Sequence, residues 1–423
     1  MMMDPILFGR EERARMIHLW VSEHSGAVLS IHANIPGDNK NLNEAFLLVR
    51  FFESEIKKNY PLMDCERYIN DDGPYTLCRI PDVPGDDLKK HMIALEDAHS
   101  LGRFVDLDVY DSQNHFSRTM YGIAPRTCYL CGNVAYHCIR SKKHETHDLI
   151  HFLTQEIKTY LADDMMTIAH HALLKELDLE DKFGLVTPTS KGSHDDMDYL
   201  LMLRAQKIIL PYFRRFFLLG YEADMLYSLF DDARKIGIDA EKAMLEETQG
   251  INCYKGLIFV LGWLMVSTGY VLKHNQTLEH IFTNIHQMTH HLLDDFNQPP
   301  KTFGEQAYHA HHIMGARGEA YLGFPSIHHA LHILDHHDIN DQTLRLVLKT
   351  LILATDDTVM LKRSGSLEQY QRIKKMIQDL DPMDIDQVKS LTTWMIEKRL
   401  SFGGAADLLI GTLALFDIKQ RYL

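Results

Sequence analysis

The sequence predicts a multidomain protein, with an α+β domain over residues 1–160 followed by a larger all-α domain over residues 161–423. Alternating apolar and polar residues, which are typical of strands, occur at Val28–Ile35 and Gly102–Tyr110. Beyond residue 160 such alternation is scarce, and apolar residues recur at helical spacing instead. A chain of 423 residues is long enough for two domains with separate cores.

Bulk composition restricts the partners and the compartment. The chain is 45% hydrophobic and 24% charged, as soluble globular proteins are, and its net charge of −14 argues against nucleic-acid and anionic-membrane partners. We interpret the apolar segment Gly256–Leu272 as a buried helix of a large helical domain rather than a membrane span. Six cysteines do not make a disulfide framework, and the N-terminus lacks a signal-peptide core, so we expect a reducing, cytoplasmic environment.

The first domain is predicted to mix helices with short strands, since both apolar periodicities occur in it. We expect helices at Arg10–His24, Asn43–Lys58 and Asp87–His99, and strands at Val28–Ile35 and Tyr75–Ile80.

A further strand at Gly102–Tyr110 carries the clearest chemistry of this domain. Its valine and leucine residues would enter the core, and Asp106 and Asp108 would share the opposite face, about 6.6 Å apart. Two carboxylates at this spacing can hold Mg²⁺ together with substrate phosphates. The alternative is an ordinary solvated strand face.

The segment Pro125–His144 combines three cysteines with basic residues and supports two interpretations. In the first, the cysteines bind zinc; the candidate ligands are Cys128, Cys131 and Cys138, with His144 or His137 as the fourth. In the second, the thiols are structural or free, and basic residues such as Arg126 and Arg140 bind phosphate.

These two segments, together with the N-I-P-G turn at residues 34–37, resemble apo-citrate lyase phosphoribosyl-dephospho-CoA transferase over residues 5–155. The resemblance implies a nucleotidyltransferase-like domain. In the implied reaction, a serine hydroxyl of the citrate lyase acyl carrier protein (the gamma subunit) attacks the α-phosphate of a triphosphoribosyl precursor, and diphosphate leaves. At the matched positions it implies Asp106 and Asp108 as Mg²⁺ ligands and Arg103 as a phosphate clamp.

The boundary between the domains is placed near residue 160. Glu145–Lys182 has nearly continuous helical spacing, with a weak point near Tyr160–Asp164 and no linker rich in proline, glycine or serine.

Helices account for nearly all of the second domain. Pro211 is predicted to kink or split one of them. The predicted helices are Met165–Leu179, Asp196–Gly220, Glu222–Ile236, Lys255–Lys273, Thr277–Phe296, Ser326–His337, Asp341–Thr355, Leu367–Leu380, Asp384–Lys398 and Ala405–Arg421.

Five polar, glycine-containing stretches lie at the ends or connections of these helices, where exposed N–H groups can bind anions. They are Lys182–Met197, Thr248–Gly262, Gly315–Pro325, Asp356–Gly365 and Leu400–Leu409. In this order they resemble the triphosphoribosyl-dephospho-CoA synthase family over residues 165–415. The resemblance implies that the 2′-hydroxyl of 3′-dephospho-CoA attacks C1 of the ATP ribose and that adenine leaves through an oxocarbenium-like transition state.

That reaction needs cations for the triphosphate, a base for the hydroxyl and a proton for adenine. For each candidate taken singly, a surface salt bridge or a helix cap is the alternative role. The candidates for binding phosphate are Lys255, Arg317 and Arg363, and those for binding Mg²⁺ or acting as a base are Asp196, Asp357 and Glu319. His194 is the candidate for proton exchange, and Asp407 could hold a metal or a ribose hydroxyl. Four glycines would let the nucleotide approach the backbone: Gly315, Gly318, Gly403 and Gly404.

The leading hypothesis is a bifunctional transferase that makes the citrate lyase prosthetic group from ATP and 3′-dephospho-CoA and attaches it. One alternative keeps the chemistry but serves the malonate decarboxylase carrier protein. Another is a non-enzymatic, zinc-stabilised module that binds a carrier protein, fused to a degenerate helical domain. The last alternative rests on departures from the family pattern, such as Val359 where the family has asparagine.

Overall fold

The computed structural model describes residues 4–23, 25–297 and 299–423 and divides into two compact units. The first unit runs to Leu161 and includes Leu272–Asn275 and Gln420–Leu423. The second unit comprises Ala162–Val271 and Gln276–Lys419.

The first unit is built on a five-stranded antiparallel sheet with the strand order β2-β3-β1-β4-β5. Its strands are β1 Ala27–Ala33, β2 Met63–Asn70, β3 Gly73–Ile80, β4 Val105–Tyr110 and β5 His115–Phe116. Its helices are α1 Pro5–Glu23, α2 Asn43–Lys57, α3 Gly85–Ala98 and α4 Ala135–Ser141, with short 3-10 helices at Gly102–Phe104 and Arg118–Tyr121. The predicted α+β class is confirmed, whereas kinship with the nucleotidyltransferase fold stays a prediction.

Helices cover this sheet, and nearly all residues of β1 and β3 are buried on both of its faces. On one face Ile17 and Trp20 of α1 form a core with Val28, Tyr75 and Leu77. In addition, α2 packs against β1 and β3, and α3 packs against β4. These packed helices hold the central strands of the sheet in place.

Two features of this unit differ from the sequence predictions. The strand β2 was not predicted, because nearly all of its residues are exposed and it shows no apolar alternation. Its Cys65 forms a disulfide with Cys78 of β3, which departs from the expectation of a reducing environment without paired cysteines. The pairing of β2 with β3 brings the two Cα atoms to 4.2 Å, a proximity that the sequence spacing does not reveal.

The second unit is helical, and no strand occurs in its described residues. The helix α5 Thr146–Asp178 leads into it. The helices that follow are α6 Tyr199–Tyr221, α7 Leu229–Glu247, α8 Lys255–Lys273, α9 Leu278–Met288, α10 Phe303–His311, α11 Gly315–Tyr321, α12 Pro325–Asp335, α13 Asp341–Ala354, α14 Thr358–Ser364, α15 Leu367–Asp379, α16 Ile385–Glu397 and α17 Gly403–Tyr422, with a 3-10 helix at His290–Asn297.

The predicted split at Pro211 is wrong, because α6 continues through this residue. The helix α6 also packs closely on α8. A Cβ on Gly220 would lie 1.8 Å from the carbonyl oxygen of Val266, and one on Gly269 would lie 2.2 Å from that of Phe217. The two backbones therefore come into contact near the C-terminal ends of these helices.

Among the described residues, α8 is the one helix long and apolar enough to cross a membrane by length and composition. Within its most apolar window 78% of the residues are buried inside the protein, which agrees with its interpretation as a buried helix. Two other segments differ from expectation. Helix α7 begins seven residues later than the predicted Glu222 start, at Leu229, and the predicted connection at Gly315–Pro325 contains the short helix α11.

Candidate active sites

The strand β4 presents two carboxylates on one face of the first unit's sheet. Its apolar residues are buried, whereas Asp106 and Asp108 are only partly so, which confirms the predicted alternation. Across the neighbouring strand β1, His32 lies opposite Asp106 and Ser30 lies opposite Asp108. The buried hydroxyl of Ser30 has no hydrogen-bond partner among the described residues. This face of the sheet therefore carries several polar side chains close together and is partly exposed to solvent.

Basic residues hold both carboxylates in place. Arg126 places NH1 2.9 Å from Oδ1 of Asp106 and NH2 2.9 Å from Oε2 of Glu96. The buried ammonium of Lys89 donates to Oδ1 of Asp108 at 3.1 Å and to the carbonyl oxygen of Leu107 at 2.7 Å. Each carboxylate therefore has one oxygen paired with a cation, and the second oxygen is left for a ligand.

A third carboxylate, Asp72, completes this site and was not predicted. It lies in the turn between β2 and β3 and binds Arg13 at 2.8 Å and Arg10 at 3.1 Å. Nε2 of His32 lies 2.9 Å from the backbone oxygen of Asp72. Burial, aided by the charge of Arg13, lowers the pKa of His32 to about 4, so its ring is neutral at pH 7. Asp-Asp-Gly in a sequence indicates a turn, and nothing in it indicates the pairing with Arg13.

Two predicted phosphate-binding arginines lie elsewhere. Arg103 donates from NH2 to the carbonyl oxygen of Cys128 at 3.0 Å and stacks on Tyr129 with its guanidinium carbon 5.0 Å from the ring centre. Arg140 is exposed and stacks on Tyr136 at 4.4 Å. The structure thus gives Arg103 a supporting contact to the cysteine segment, and Arg126 takes the position beside the carboxylates.

The cysteine segment gathers four candidate metal ligands. One ligand atom from each of Cys128, Cys131, Cys138 and His144 lies within 4.8 Å of the others. Sγ of Cys131 is 3.6 Å from Sγ of Cys138 and 3.3 Å from Nε2 of His144. The Asn133 N–H and the ring of His144 lower the pKa of Cys131 to about 6. Of the two predicted histidines, His144 is the one in the cluster.

Four of the five glycine-containing stretches of the second unit line a single cleft of about 680 Å³. The predicted site residues His194, Asp196, Lys255, Arg363, Gly403 and Asp407 all line it. The fifth stretch, with Gly315 and Arg317, lines an apolar cavity of about 400 Å³ whose wall also includes Lys255. Both volumes suit small-molecule ligands.

His194 and Arg363 form one hydrogen-bonded unit in this cleft. NH2 of Arg363 donates to Nδ1 of His194 at 3.0 Å, so the ring proton belongs on Nε2, which faces Oγ of Ser401 at 3.4 Å. Burial and the Arg363 charge lower the pKa of His194 to about 4. NH1 of Arg363 donates to the carbonyl oxygens of Ser193 and Arg399 at 2.9 and 3.0 Å. Arg363 therefore ties the two loops together and presents a neutral histidine.

Asp357 is a helix cap, which corrects its prediction as an Mg²⁺ ligand. Its Oδ1 accepts the N–H of Met360 at 2.9 Å, and its Oδ2 accepts those of Gly404 and Ala405 at 2.8 and 3.3 Å. A Cβ on Gly404 would lie 3.1 Å from Oδ2, so glycine permits this approach. Both oxygens of the buried Asp357 accept backbone N–H groups, so the residue joins the starts of α14 and α17, and it does not line the cleft.

Asp407 is an acidic group set against the start of α8. A Cβ on Gly256 would lie 2.0 Å from its Oδ2, so the glycine makes room for the carboxyl group. Burial raises the pKa of Asp407 well above its usual value, and the charges of Asp357 and Glu176 raise it further, although the N–H of Leu257 opposes them. The protonated form of Asp407 is thereby favoured, and because the residue lines the cleft we consider it a candidate proton donor.

Two predictions in the stretch Gly315–Pro325 need correction. Glu319 is turned into the protein, where it accepts from Oγ of Ser326 at 2.6 Å and from the Ser326 N–H at 3.3 Å. It caps α12 through Oε2 and lines neither the cleft nor the apolar cavity. Gly318 lies against Met314, where a Cβ would be 2.5 Å from the Met314 side chain, so this glycine serves packing.

Arg317 reaches the apolar cavity while contacting Glu305 and Phe296. Both of its terminal nitrogens are 3.2 Å from Oε1 of Glu305, and its guanidinium carbon is 5.3 Å from the ring centre of Phe296. Lys255 pairs with Glu241 at 2.6 Å and remains more than half exposed. Lys362, which was not predicted, is exposed and lines the larger cleft. A lysine on a short helix carries no sequence signal that distinguishes it from a surface residue.

Comparison with known proteins gives the two units an identity. A family model for ATP:dephospho-CoA triphosphoribosyl transferase matches residues 162–422. A second, for apo-citrate lyase phosphoribosyl-dephospho-CoA transferase, matches residues 1–160.

Curated relatives match in the same way. Protein CitXG of Haemophilus influenzae is 32% identical over 361 aligned positions, covering 79% of this chain and 77% of the relative. Protein CitXG of Leuconostoc mesenteroides subsp. cremoris is 28% identical, covering 97% of this chain and 96% of the relative. A probable 2-(5''-triphosphoribosyl)-3'-dephosphocoenzyme-A synthase of Vibrio cholerae is 34% identical, covering 60% of this chain and 88% of the relative. The chain therefore belongs to the ATP:dephospho-CoA triphosphoribosyl transferase family and carries an apo-citrate lyase phosphoribosyl-dephospho-CoA transferase domain before it, so that it is a transferase with both activities in citrate lyase prosthetic group synthesis.

Proposed function

We propose that the second unit joins ATP to 3′-dephospho-CoA with release of adenine, and that the first unit transfers the product to a serine of the citrate lyase acyl carrier protein, the gamma subunit. The observation that carries the proposal is the cleft that brings Asp196, Asp407, His194 and Lys255 together out of three separate stretches of sequence. These are the residue types that the displacement of adenine by a hydroxyl group requires.

In the second unit, we assign opposite proton roles to the two aspartates. The exposed carboxylate of Asp196 accepts the proton of the 2′-hydroxyl of 3′-dephospho-CoA. At the same time the oxygen of that hydroxyl bonds to C1 of the ATP ribose. The bond from C1 to N9 of adenine breaks at the same time. Asp407, whose protonated form is favoured by burial, gives its proton to the departing adenine.

The triphosphate stays on the ribose, and cations at the cleft must balance its charge. Lys255, Lys362 and Arg363 line the cleft and are available for this. The adjoining cavity is mostly apolar, with Phe230 and Trp263 stacked in its wall. We assign this cavity to an uncharged part of the two substrates, with Arg317 at its edge.

In the first unit, the three carboxylates and the surrounding arginines fit a phosphoryl-transfer site. The free oxygens of Asp106 and Asp108, with exposed side-chain fractions of 39% and 30%, suit Mg²⁺, which prefers oxygen ligands. Bound there, Mg²⁺ would neutralise charge on the leaving diphosphate. The chain itself contributes Arg126 and Lys89, which hold the carboxylates, and Arg13, which adds positive charge beside Asp72. The serine oxygen bonds to the α-phosphorus as the bond to the diphosphate oxygen breaks.

The test supplies the full chain with ATP, Mg²⁺ and labelled 3′-dephospho-CoA, together with the citrate lyase carrier protein or the malonate decarboxylase carrier protein. We expect adenine and diphosphate release and label on the citrate lyase carrier. Label on the malonate decarboxylase carrier alone would change the acceptor and keep the chemistry. No label on either would contradict the proposed transfer.

A further inference from the structure

The ligand atoms of Cys128, Cys131, Cys138 and His144 all lie within 4.8 Å of one another, and two of the distances between them fit a tetrahedral zinc site. With Zn–S bonds of about 2.3 Å and Zn–N bonds of about 2.0 Å, tetrahedral geometry puts two sulfurs about 3.8 Å apart and a sulfur and a nitrogen about 3.5 Å apart. The corresponding distances here are 3.6 Å between Cys131 and Cys138 and 3.3 Å between Cys131 and His144. Two sulfurs at 3.6 Å are also far beyond the length of a disulfide.

The local backbone delivers these ligands from two directions. Thr127 and Val134 form an antiparallel bridge, and the Cys128 N–H donates to the Asn133 carbonyl at 2.7 Å, so Cys128 and Cys131 lie on a tight hairpin. Cys138 comes from α4, which ends at Lys142 with φ +48°. The chain then turns back and brings His144 to the sulfurs. Four protein ligands fill a tetrahedral shell, which is the arrangement of structural rather than catalytic zinc.

The charge of such a site is also partly balanced. Three thiolates, one neutral histidine and Zn²⁺ sum to −1, and the ammonium of Lys143 lies 3.6 Å from Sγ of Cys131. A cation hydrogen-bonded to a thiolate ligand stabilises the deprotonated form that metal binding requires.

The same segment carries the arginine that holds the proposed transfer site. Arg126 lies two residues before Cys128 and contacts Asp106 and Glu96. Arg103 donates to the carbonyl oxygen of Cys128, and Tyr129 donates from its hydroxyl to the carbonyl oxygen of Asn34 at 2.9 Å. Between β5 and α5 the described chain has only one seven-residue α-helix and one four-residue 3-10 helix, so little regular structure fixes this segment.

We propose that Cys128, Cys131, Cys138 and His144 bind one structural zinc ion, which fixes the segment so that Arg126 stays beside Asp106 for group transfer. The positioning role rests on the proposed function of the first unit, whereas the metal site does not. Arg126 is a positioning residue in this account, because it acts through Asp106.

The first test is the metal content of the purified full chain, measured by mass spectrometry after extensive dialysis. We expect one zinc per chain, and a cobalt-substituted protein should show thiolate-to-cobalt absorption in the near ultraviolet. His144→Asn should lower the zinc content well below one per chain. The matched control is His137→Asn, which changes the exposed histidine of the same segment and should retain full zinc. Wild-type protein that retains no zinc and gives no cobalt bands would overturn the site.

The second test separates the metal from the function. In Cys131→Ser we expect label transfer to the carrier protein to fall at least tenfold, while adenine release from ATP is unchanged and circular dichroism reports that the chain is folded. Zinc loss in this variant with full transfer activity would overturn the positioning role. If wild-type chain carries one zinc but transfers no label, the proposed transfer fails and the metal site stands.

Discussion

Arg126 connects Asp106 to the buried carboxylate of Glu96, with a different terminal nitrogen 2.9 Å from each of the two acids. Glu96 also accepts the N–H of Leu107 at 2.8 Å, which ties α3 to β4. The guanidinium group is thereby fixed by two packed elements before any substrate arrives. Such a preformed arrangement favours charge stabilisation in a transition state, because nothing has to reorganise when charge develops.

The carboxylates of β4 are expected to be essential for transfer alone. Asp106→Asn and Asp108→Asn should each lower the transfer of supplied triphosphoribosyl precursor to the carrier protein by about 100-fold or more, since each removes a charged oxygen ligand. Adenine release from ATP should remain at the wild-type rate, because the cleft of the second unit contains neither residue.

The matched control for these variants is Asp82→Asn. Asp82 is an exposed turn residue with φ +59°, a conformation that asparagine also adopts readily. This variant should keep both activities. If both single variants transferred at the wild-type rate, the transfer site would not lie on this face of β4.

Asp407 is expected to act as the proton donor to adenine. Asp407→Asn should lower kcat for adenine release by about 100-fold with little change in KM for ATP, because a general acid acts in the transition state. Since the pKa of Asp407 is raised, the acid form is lost as pH rises, so wild-type kcat should decline on the alkaline side. A steady-state pH profile checks this, and an unchanged alkaline decline in Asp407→Asn would assign that decline to another group.

The raised pKa of Asp407 is also expected to make the folded protein less stable as pH rises. A carboxyl group whose folded pKa exceeds its unfolded value costs stability as pH rises above the unfolded pKa of about 4. Asp407→Asn should therefore unfold at a higher temperature than wild type at pH 7, and the difference should shrink toward pH 4. A lower melting temperature at pH 7 would show that the ionised form is stabilised in the folded protein.

Asp357 is expected to matter for stability through its caps on two helices. Asp357→Ala leaves the N–H groups of Met360, Gly404 and Ala405 without their acceptor and should cost about 2–4 kcal/mol in the free energy of unfolding. Asp384→Ala removes the partly exposed cap of α16 and should cost less, because water can replace that acceptor. Urea denaturation followed by circular dichroism measures both, and equal losses would show that the burial of Asp357 adds nothing.

His194 is expected to stay neutral across the physiological pH range. Its folded pKa of about 4 lies below the unfolded value, so its contribution to stability is complete above pH 6.5 and is lost as pH falls toward 4. Between pH 7 and pH 5, wild type should lose more thermal stability than His194→Gln. Equal losses in the two proteins would show that the ring titrates normally in the folded state.

The sequence alone was informative where local periodicity and chemistry coincide. Alternation around Asp106 and Asp108 predicted both the strand and the face that these residues share. Lys255 and Asp407 were both selected because they lie in stretches that carry the family resemblance, and both line the cleft.

Other features depend on contacts between distant residues and could not be predicted. Asp72 acquires its role from Arg13, which lies 59 residues earlier in the chain. Asp357 and Glu319 stand in charged, glycine-containing stretches that resembled ligand sites, yet both accept the backbone N–H of a helix start, and neither lines the cleft or the apolar cavity. Whether a carboxylate faces a cleft or a helix end depends on packing that residue types do not encode locally.

The central claim is that one chain carries two independent transferase sites. The most direct test measures adenine release and carrier-protein labelling in the same reaction. With ATP, Mg²⁺ and labelled 3′-dephospho-CoA, wild type should do both. Asp108→Asn should release adenine without labelling the carrier, and Asp407→Asn should label it only when the triphosphoribosyl precursor is supplied. Loss of both activities in either variant, with the fold intact by circular dichroism, would contradict two separate sites.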